Sequence, residues 1–217
     1  MVVKQIGRRF ELEPPASPGL TLALNAIMST PSRDSLVTNA LRKFGTSNDF
    51  WSILYASDLD ADELAEYQLK EGQVEIVETH NTATGPAIIS EVEYLTVLAA
   101  ACEFDDLPER ASLLRAFIKD PRIAADLDEA NPERCEQKWL QFVPFLKAGG
   151  WGLTGEMIAG PTGGLKYNVV SYSLPLEVIY RNTCRTLKNF PPGLERHKQD
   201  YESLKMALEG FFAHQGG

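Results

Sequence analysis

The stretch PAIISEVEYLTVLAAACE, residues 86–103, governs how the rest of the chain reads. Apolar side chains recur at Ala87, Ile88, Ile89, Val92, Leu95, Val97, Leu98 and Ala99, and almost no polar face is left. Proline suits a helix start, where its missing N–H leaves nothing unbonded. The spacing therefore predicts a helix over about 87–103, opened by Pro86. A helix that is apolar nearly all round is a buried one, so this segment is expected to form the centre of a helical core. Glu91 and Glu93 interrupt it. Two residues apart, they point to different helix faces. A carboxylate buried there is costly unless paired or protonated, and its pKa rises, which makes the pair an acid–base candidate. Arg110 and Arg115 are available as structural partners.

Working outward from this segment, most stretches carry helical spacing. Upstream, residues 2–12 look extended, and the prolines between Pro14 and Gly19 mark a turn. Leu20, Ala23, Leu24, Ile27 and Met28 fall at helical intervals. Ser32 can cap a second helix carrying Leu36, Val37, Ala40, Leu41 and Phe44, with Gly45 as its C-terminal glycine. Ser47 or Asn48 is expected to start a third, holding Phe50, Trp51, Leu54 and Tyr55. Asp60 and Glu63 form a capping-box pair for a fourth, stopped by Gly72. Residues 73–78 are rich in β-branched side chains.

Downstream, Leu107–Lys119 is amphipathic and ends at Pro121, and one turn is expected over 122–128. Pro132 opens a helix aligning Cys135, Trp139, Phe142, Val143 and Leu146. A glycine-rich loop at 149–164 leads to a strand over 165–174 and two helices, one after Pro175 and one over about 194–213. The expected fold is mainly α: a compact multi-helix domain of about eight helices with a small two- or three-stranded β element. It is read as a single domain over 1–217, with an N-terminal extended segment at 1–19, a helical core at 20–148, the glycine-rich loop at 149–164, and a strand and two helices at 165–217.

Three cysteines, Cys102, Cys135 and Cys184, make an odd count without a Cys-x-x-Cys pair. A disulfide framework or zinc knuckle is not expected, and free thiols fit a reducing compartment such as the cytoplasm. The first ten residues lack the apolar run of a secretory signal. The longest apolar run, Tyr94–Cys102, is about half a membrane span, so no membrane is expected as a partner.

Charge is concentrated in one quarter of the chain. Residues 51–110 hold fourteen acids against Lys70 and Arg110, while the segments on either side are close to balanced. Such a segment repels nucleic-acid phosphate and attracts a basic partner. The leading functional expectation is therefore a non-enzymatic regulatory or assembly module that docks a basic protein through Asp58, Asp60, Asp62, Glu63 and Glu66. The blander alternative is a solvated acidic face that serves solubility.

The second expectation is an enzyme or ligand-binding protein with a pocket under the loop 149–164, where Trp151, Glu156, Gly160 and Gly163 would contribute. Glycines allow backbone amides to cradle an anion. The loop matches neither the phosphate-binding Gly-x-x-x-x-Gly-Lys-Ser/Thr pattern nor the dinucleotide fingerprint, which follows a strand rather than a helix. A flexible helix-to-strand connection is the simpler reading. Asp58, Asp60 and Asp62 resemble a calcium loop only superficially, because its sixth and twelfth positions fall on Glu63 and Leu69. His80, His197 and His214 form no metal-ligand pair, and no catalytic residue or cofactor is indicated.

Arg181, Arg185 and Lys188 line one face of the penultimate helix, with Arg196 and Lys198 nearby. Heptad-spaced Leu194, Tyr201 and Leu208, beside His197, Leu204 and Phe211, raise a third expectation. It is a structural subunit that forms homo-oligomers through its C-terminal helix.

Overall fold

The computed structural model describes the chain except residues 8, 31, 80–84, 128–129, 155–156, 169–173 and 216–217. Its packing divides into two compact units, Met1–Ala130 and Asn131–Gly217. Eight α-helices and nine short strands occur among the described residues. The fold is mainly α, but three antiparallel sheets carry more β structure than the single small element expected.

The first unit opens with a hairpin, β1 (Val2–Ile6) against β2 (Arg9–Glu13), turned at Gly7 with its positive φ. Helix α1 (Pro18–Ser29) follows, its first turn capped by the Ser17 hydroxyl. Helix α2 (Arg33–Leu41) is capped by Ser32, as its sequence predicts. It ends before Gly45, and Lys43 takes the left-handed conformation near its end. Gly45 is needed instead for close approach, since a Cβ there would stand 2.9 Å from the Ile53 carbonyl oxygen.

The helix expected over 47–55 is not formed. β3 (Thr46–Ser47) and β4 (Trp51–Tyr55) stand in its place. The Asn48 side chain accepts hydrogen bonds from the Phe50 and Trp51 amides and closes a turn between the two strands. Ile53 and Tyr55 then alternate into the core, a period of two rather than 3.6. A 3-10 turn (Ala56–Asp58) leads to α3 (Ala61–Tyr67), where the Asp60–Glu63 capping box is present. Strands β5 (Gln73–Glu78) and β6 (Ala87–Ser90) complete a sheet of order β3-β4-β5-β6.

The decisive stretch therefore divides. Residues 87–90 are a strand, with Ile89 buried and Ile88 exposed, and the helix α4 (Glu91–Phe104) begins only at Glu91. The start is set by a second capping box. The Ser90 hydroxyl accepts from the Glu93 amide and the Glu93 carboxylate accepts from the Ser90 amide.

From there α4 is the central helix expected, with Val97, Leu98, Ala101 and Cys102 fully buried. It packs on α1, α2, the hairpin and α5 (Pro108–Lys119), and a 3-10 segment (Pro121–Asp126) closes the unit. One charged pair lies inside. Asp34 is fully buried, and the Arg110 Nε lies 2.7 Å from its Oδ1.

In the second unit, α6 (Pro132–Ala148) aligns Trp139, Phe142 and Leu146 inward. A meander follows, β7 (Gly152–Thr154), β8 (Met157–Ala159) and β9 (Lys166–Asn168), and then α7 (Leu176–Lys188) and α8 (Glu195–Gln215). Residues 152–154 and 157–159 of the glycine-rich loop thus form paired strands. Its core is aromatic: Phe142 and Phe211 rings meet edge to face at 5.6 Å, and Phe145 and Phe211 at 5.5 Å.

Candidate functional site

The fourteen acids of residues 51–110 do different work in the folded unit. Several are neutralised by bases from outside the segment or from its edges. Lys43 Nζ lies 3.1 Å from Glu91, Arg115 Nη1 lies 2.6 Å from Glu103, and Arg33 Nε lies 2.8 Å from Asp105. The Arg115 guanidinium holds the Glu103 carboxyl below its ordinary range. Glu93 is held low by the Ser90 hydroxyl and amide. The acid–base expectation for Glu91 and Glu93 is therefore not met: one is ion-paired to Lys43 and the other caps its own helix.

Open negative charge remains at 58–71, on α3 and its flanks with Lys70 as the base among them, and again at Asp106 and Glu109, which are exposed without an ion pair among the described residues. Asp58, Asp60, Asp62, Glu63, Glu66 and Glu71 are all exposed. Three of these carboxylates also hold backbone. Asp58 Oδ2 accepts from the Gly45 amide at 2.8 Å, Asp60 Oδ1 accepts from the Asp62 and Glu63 amides at 2.9 Å each, and Glu63 Oε2 accepts from the Asp60 amide at 3.0 Å. The carboxylates of Asp62, Glu66 and Glu71 have no hydrogen-bonding or ionic partner among the described residues. Exposed aromatic rings flank the acids: Tyr67 ends α3, and Phe44 precedes Gly45.

The sheet lies next to this cluster. The point where a Gly45 Cβ would stand is 3.1 Å from Asp58 Oδ2 and 3.6 Å from Leu54 Cδ2. Leu54 begins the face of the sheet turned away from the core, which also carries Ser52, Gln73, Glu75, Val77 and Ile88. Glu75 stands between Leu54 on β4 and Ile88 on β6. It is only 4 % exposed, more buried than either neighbour, and Ile88 is 42 % exposed. Burial pushes the Glu75 carboxyl above its ordinary pKa. Sequence reading counted Glu75 among the acids without singling it out. The signal was its place inside the β-rich run QVEIVE, where period two sets it on the face opposite Val74 and Ile76.

Trp151 is buried in the unit's own core, and its indole N–H donates to Ser203 Oγ at 3.0 Å. The Gly160 and Gly163 amides, expected to help cradle a ligand, already donate to the Leu165 and Gly160 carbonyl oxygens. Asp200 on α8, fully buried, accepts from the Thr162 amide at 2.9 Å and the Leu165 amide at 2.8 Å. Burial by itself raises that carboxyl, but the hydrogen bonds from the loop outweigh it and hold the group below its ordinary value.

Gly160 lets the two segments touch, since a Cβ there would lie 2.3 Å from Asp200 Cγ. Gly163, with φ +72°, turns the loop. Glu156 lies outside the described residues. Beside the loop, Gly163, Gly164 and the segment from Gly193 to His197 border an open depression of about 540 Å³. Among the described residues no group of three or more His, Cys, Asp or Glu side chains is placed to hold a metal ion.

The heptad seam of α8 is spent at home. Leu204, Leu208 and Phe211 are buried against α6 and α7, while Leu194 precedes the helix and is exposed. The basic stripe runs along α7 with Arg181 and Lys188 exposed and Arg185 half-buried. No helix of the described residues is long and apolar enough to cross a membrane. No family model matches the chain, and neither a curated protein nor a solved structure does so.

Proposed function

We propose that this chain is a non-enzymatic interaction module that docks a basic protein partner on the acidic face of its first unit. The observation that carries the reading is that Asp62, Glu66 and Glu71, close together in sequence, keep exposed carboxylates without a partner among the described residues, whereas Glu91, Glu103 and Asp105 meet the chain's own bases. Asp62 and Glu66, one turn apart on α3, repel each other and, with Glu71 beyond the helix, are relieved by a cationic surface. The exposed rings of Phe44 and Tyr67 add apolar and cation–π contact for lysine and arginine. The buried Cys102 and Cys135 thiols fit a reducing compartment, and the proposal assigns the protein to the cytoplasm.

The rival readings lose support on specific contacts. A ligand cradle under the glycine-rich loop has its Gly160 and Gly163 amides engaged by backbone carbonyls and its Thr162 amide by Asp200, and an oligomer seam on α8 has Leu204, Leu208 and Phe211 buried in the unit's own core.

Neutralising the free acids tests the proposal without disturbing the capping box. The triple variant D62N/E66Q/E71Q is expected to bind a deca-lysine peptide about tenfold more weakly than the parent chain, at roughly 0.5 kcal/mol per exposed pair. Binding of the parent should fall steeply between 50 and 300 mM salt, about where the screening length drops below 10 Å. Calorimetry at the two salt concentrations checks both expectations. Binding that ignores salt and the three substitutions would remove the proposal.

A further inference from the structure

Glu75 is the acid that the docking reading leaves unexplained. It lies on a strand between Leu54 and Ile88, where a β-branched apolar residue would fit the pleat better. It is 4 % exposed and meets no hydrogen-bonding or ionic partner among the described residues. A carboxylate desolvated without a partner opposes folding. Conflicts of this kind between a residue and its place are concentrated at functional positions.

The groups that face it offer no counter-charge. Ser52, Leu54, Gln73, Val77, Ile88 and Ser90 are neutral. Asp58, in the 3-10 turn that packs on β5, is of the same sign. Lys70, in the turn before β5, is exposed and unpaired among the described residues.

We propose that Glu75 is the seat for one lysine or arginine side chain of the basic partner, whose aliphatic stem lies along Leu54 and Ile88. This rests on the docking reading and specifies it. Lysine and arginine bury their stems on apolar surface while the charged head seeks a carboxylate. Asp58 continues the negative potential from the α3 cluster to the sheet, through Gly45 and Leu54. A partner that covers this face would desolvate the pair further. That makes its cation worth more than one held by an exposed acid such as Glu66.

The test uses the full chain and the deca-lysine peptide as probe. The 13C resonance of the Glu75 carboxyl is followed against pH, alone and with saturating peptide. E75Q and D62N/E66Q are compared with the parent for binding. Alone, the Glu75 carboxyl is expected to titrate above the exposed glutamates. With peptide its midpoint should fall by about one pH unit, which is the linked counterpart of roughly tenfold tighter binding by the ionised form. E75Q should bind about tenfold more weakly while melting no lower than the parent.

A midpoint unmoved by saturating peptide overturns the seat, and that measurement needs no variant to fold. E75Q binding as tightly as the parent while D62N/E66Q binds weakly overturns the seat and leaves the acidic docking face standing. No peptide binding at low salt, or binding indifferent to both variants, overturns both.

Discussion

Asp34→Ala is expected to destabilise the first unit by about 3–5 kcal/mol, the cost of leaving one buried charge without its partner. Asp34 is fully buried and the Arg110 side chain is 8 % exposed, with Nε 2.7 Å from Asp34 Oδ1. The same guanidinium reaches the Thr38 hydroxyl at 3.3 Å and the Asp34 carbonyl oxygen at 3.4 Å. Removing the carboxylate strands a cation between α2 and α5. Removing both charges together, as in D34L/R110M, should cost far less, because apolar residues of similar volume commonly replace a buried pair without loss.

Cys102 supplies the readout. It is fully buried, and burial pushes its thiol up to about 12, against the opposing pull of Arg110. It reacts with an alkylating agent only when the unit opens, so mass spectrometry of the Cys102 peptide tracks opening. The single variant should expose Cys102 at a urea concentration well below that of the parent, and the double variant should not. Equal shifts for the two would show that the pairing carries no special weight.

In the second unit the largest effect is expected from Gly160→Ala, a loss of about 3 kcal/mol. It combines overpacking with broken hydrogen bonds to a buried carboxylate. A methyl group there meets Asp200 Cγ and Oδ2 at 2.3 Å, so either the loop or α8 must move, and the Thr162 and Leu165 amides then lose their acceptor. Gly152→Ala is the matched control. Nothing lies within 4 Å of its Cβ, and the change should be neutral within about 0.5 kcal/mol. Thermal unfolding of the two variants, compared with the parent, separates them. Similar melting points would mean that the loop does not rest on Asp200.

The same carboxylate sets an acid limit. Its pKa is lowered in the folded state from an ordinary 3.8, so the stability it contributes is present above that value. It is lost as pH falls through the lower folded value. D200N should flatten the acid limb of the second unit's stability below about pH 4.

What could be read from the sequence follows the range of the interactions involved. The Asp60–Glu63 box and the Ser32 cap are local and were legible, because both partners sit within three residues. The Ser90–Glu93 box has the same form, yet it lay hidden inside an apolar run whose first four residues fit a strand as well as a helix. Residues 47–55 misled for the same reason, since Phe50, Trp51, Leu54 and Tyr55 match helical spacing while Trp51, Ile53 and Tyr55 match a strand.

The acidic surplus was plain as a count. Its distribution was not, because Lys43, Arg115 and Arg33 lie outside residues 51–110 and reach back into it. Glu75 needed both neighbouring strands before its environment existed. Asp200 stands 35 residues beyond the Leu165 amide that it holds, and no spacing rule connects them.

That last separation bears on how the polypeptide is made. Chains fold as they leave the ribosome, and domains close in order from the N-terminus. The contacts internal to the first unit can all form once residue 130 has emerged. The meander of the second cannot settle at that stage, however early its strands appear, because the carboxylate that gathers its amides is synthesised on the final helix. The nascent segment from 149 to 168 should stay accessible to protease until residue 200 clears the exit tunnel.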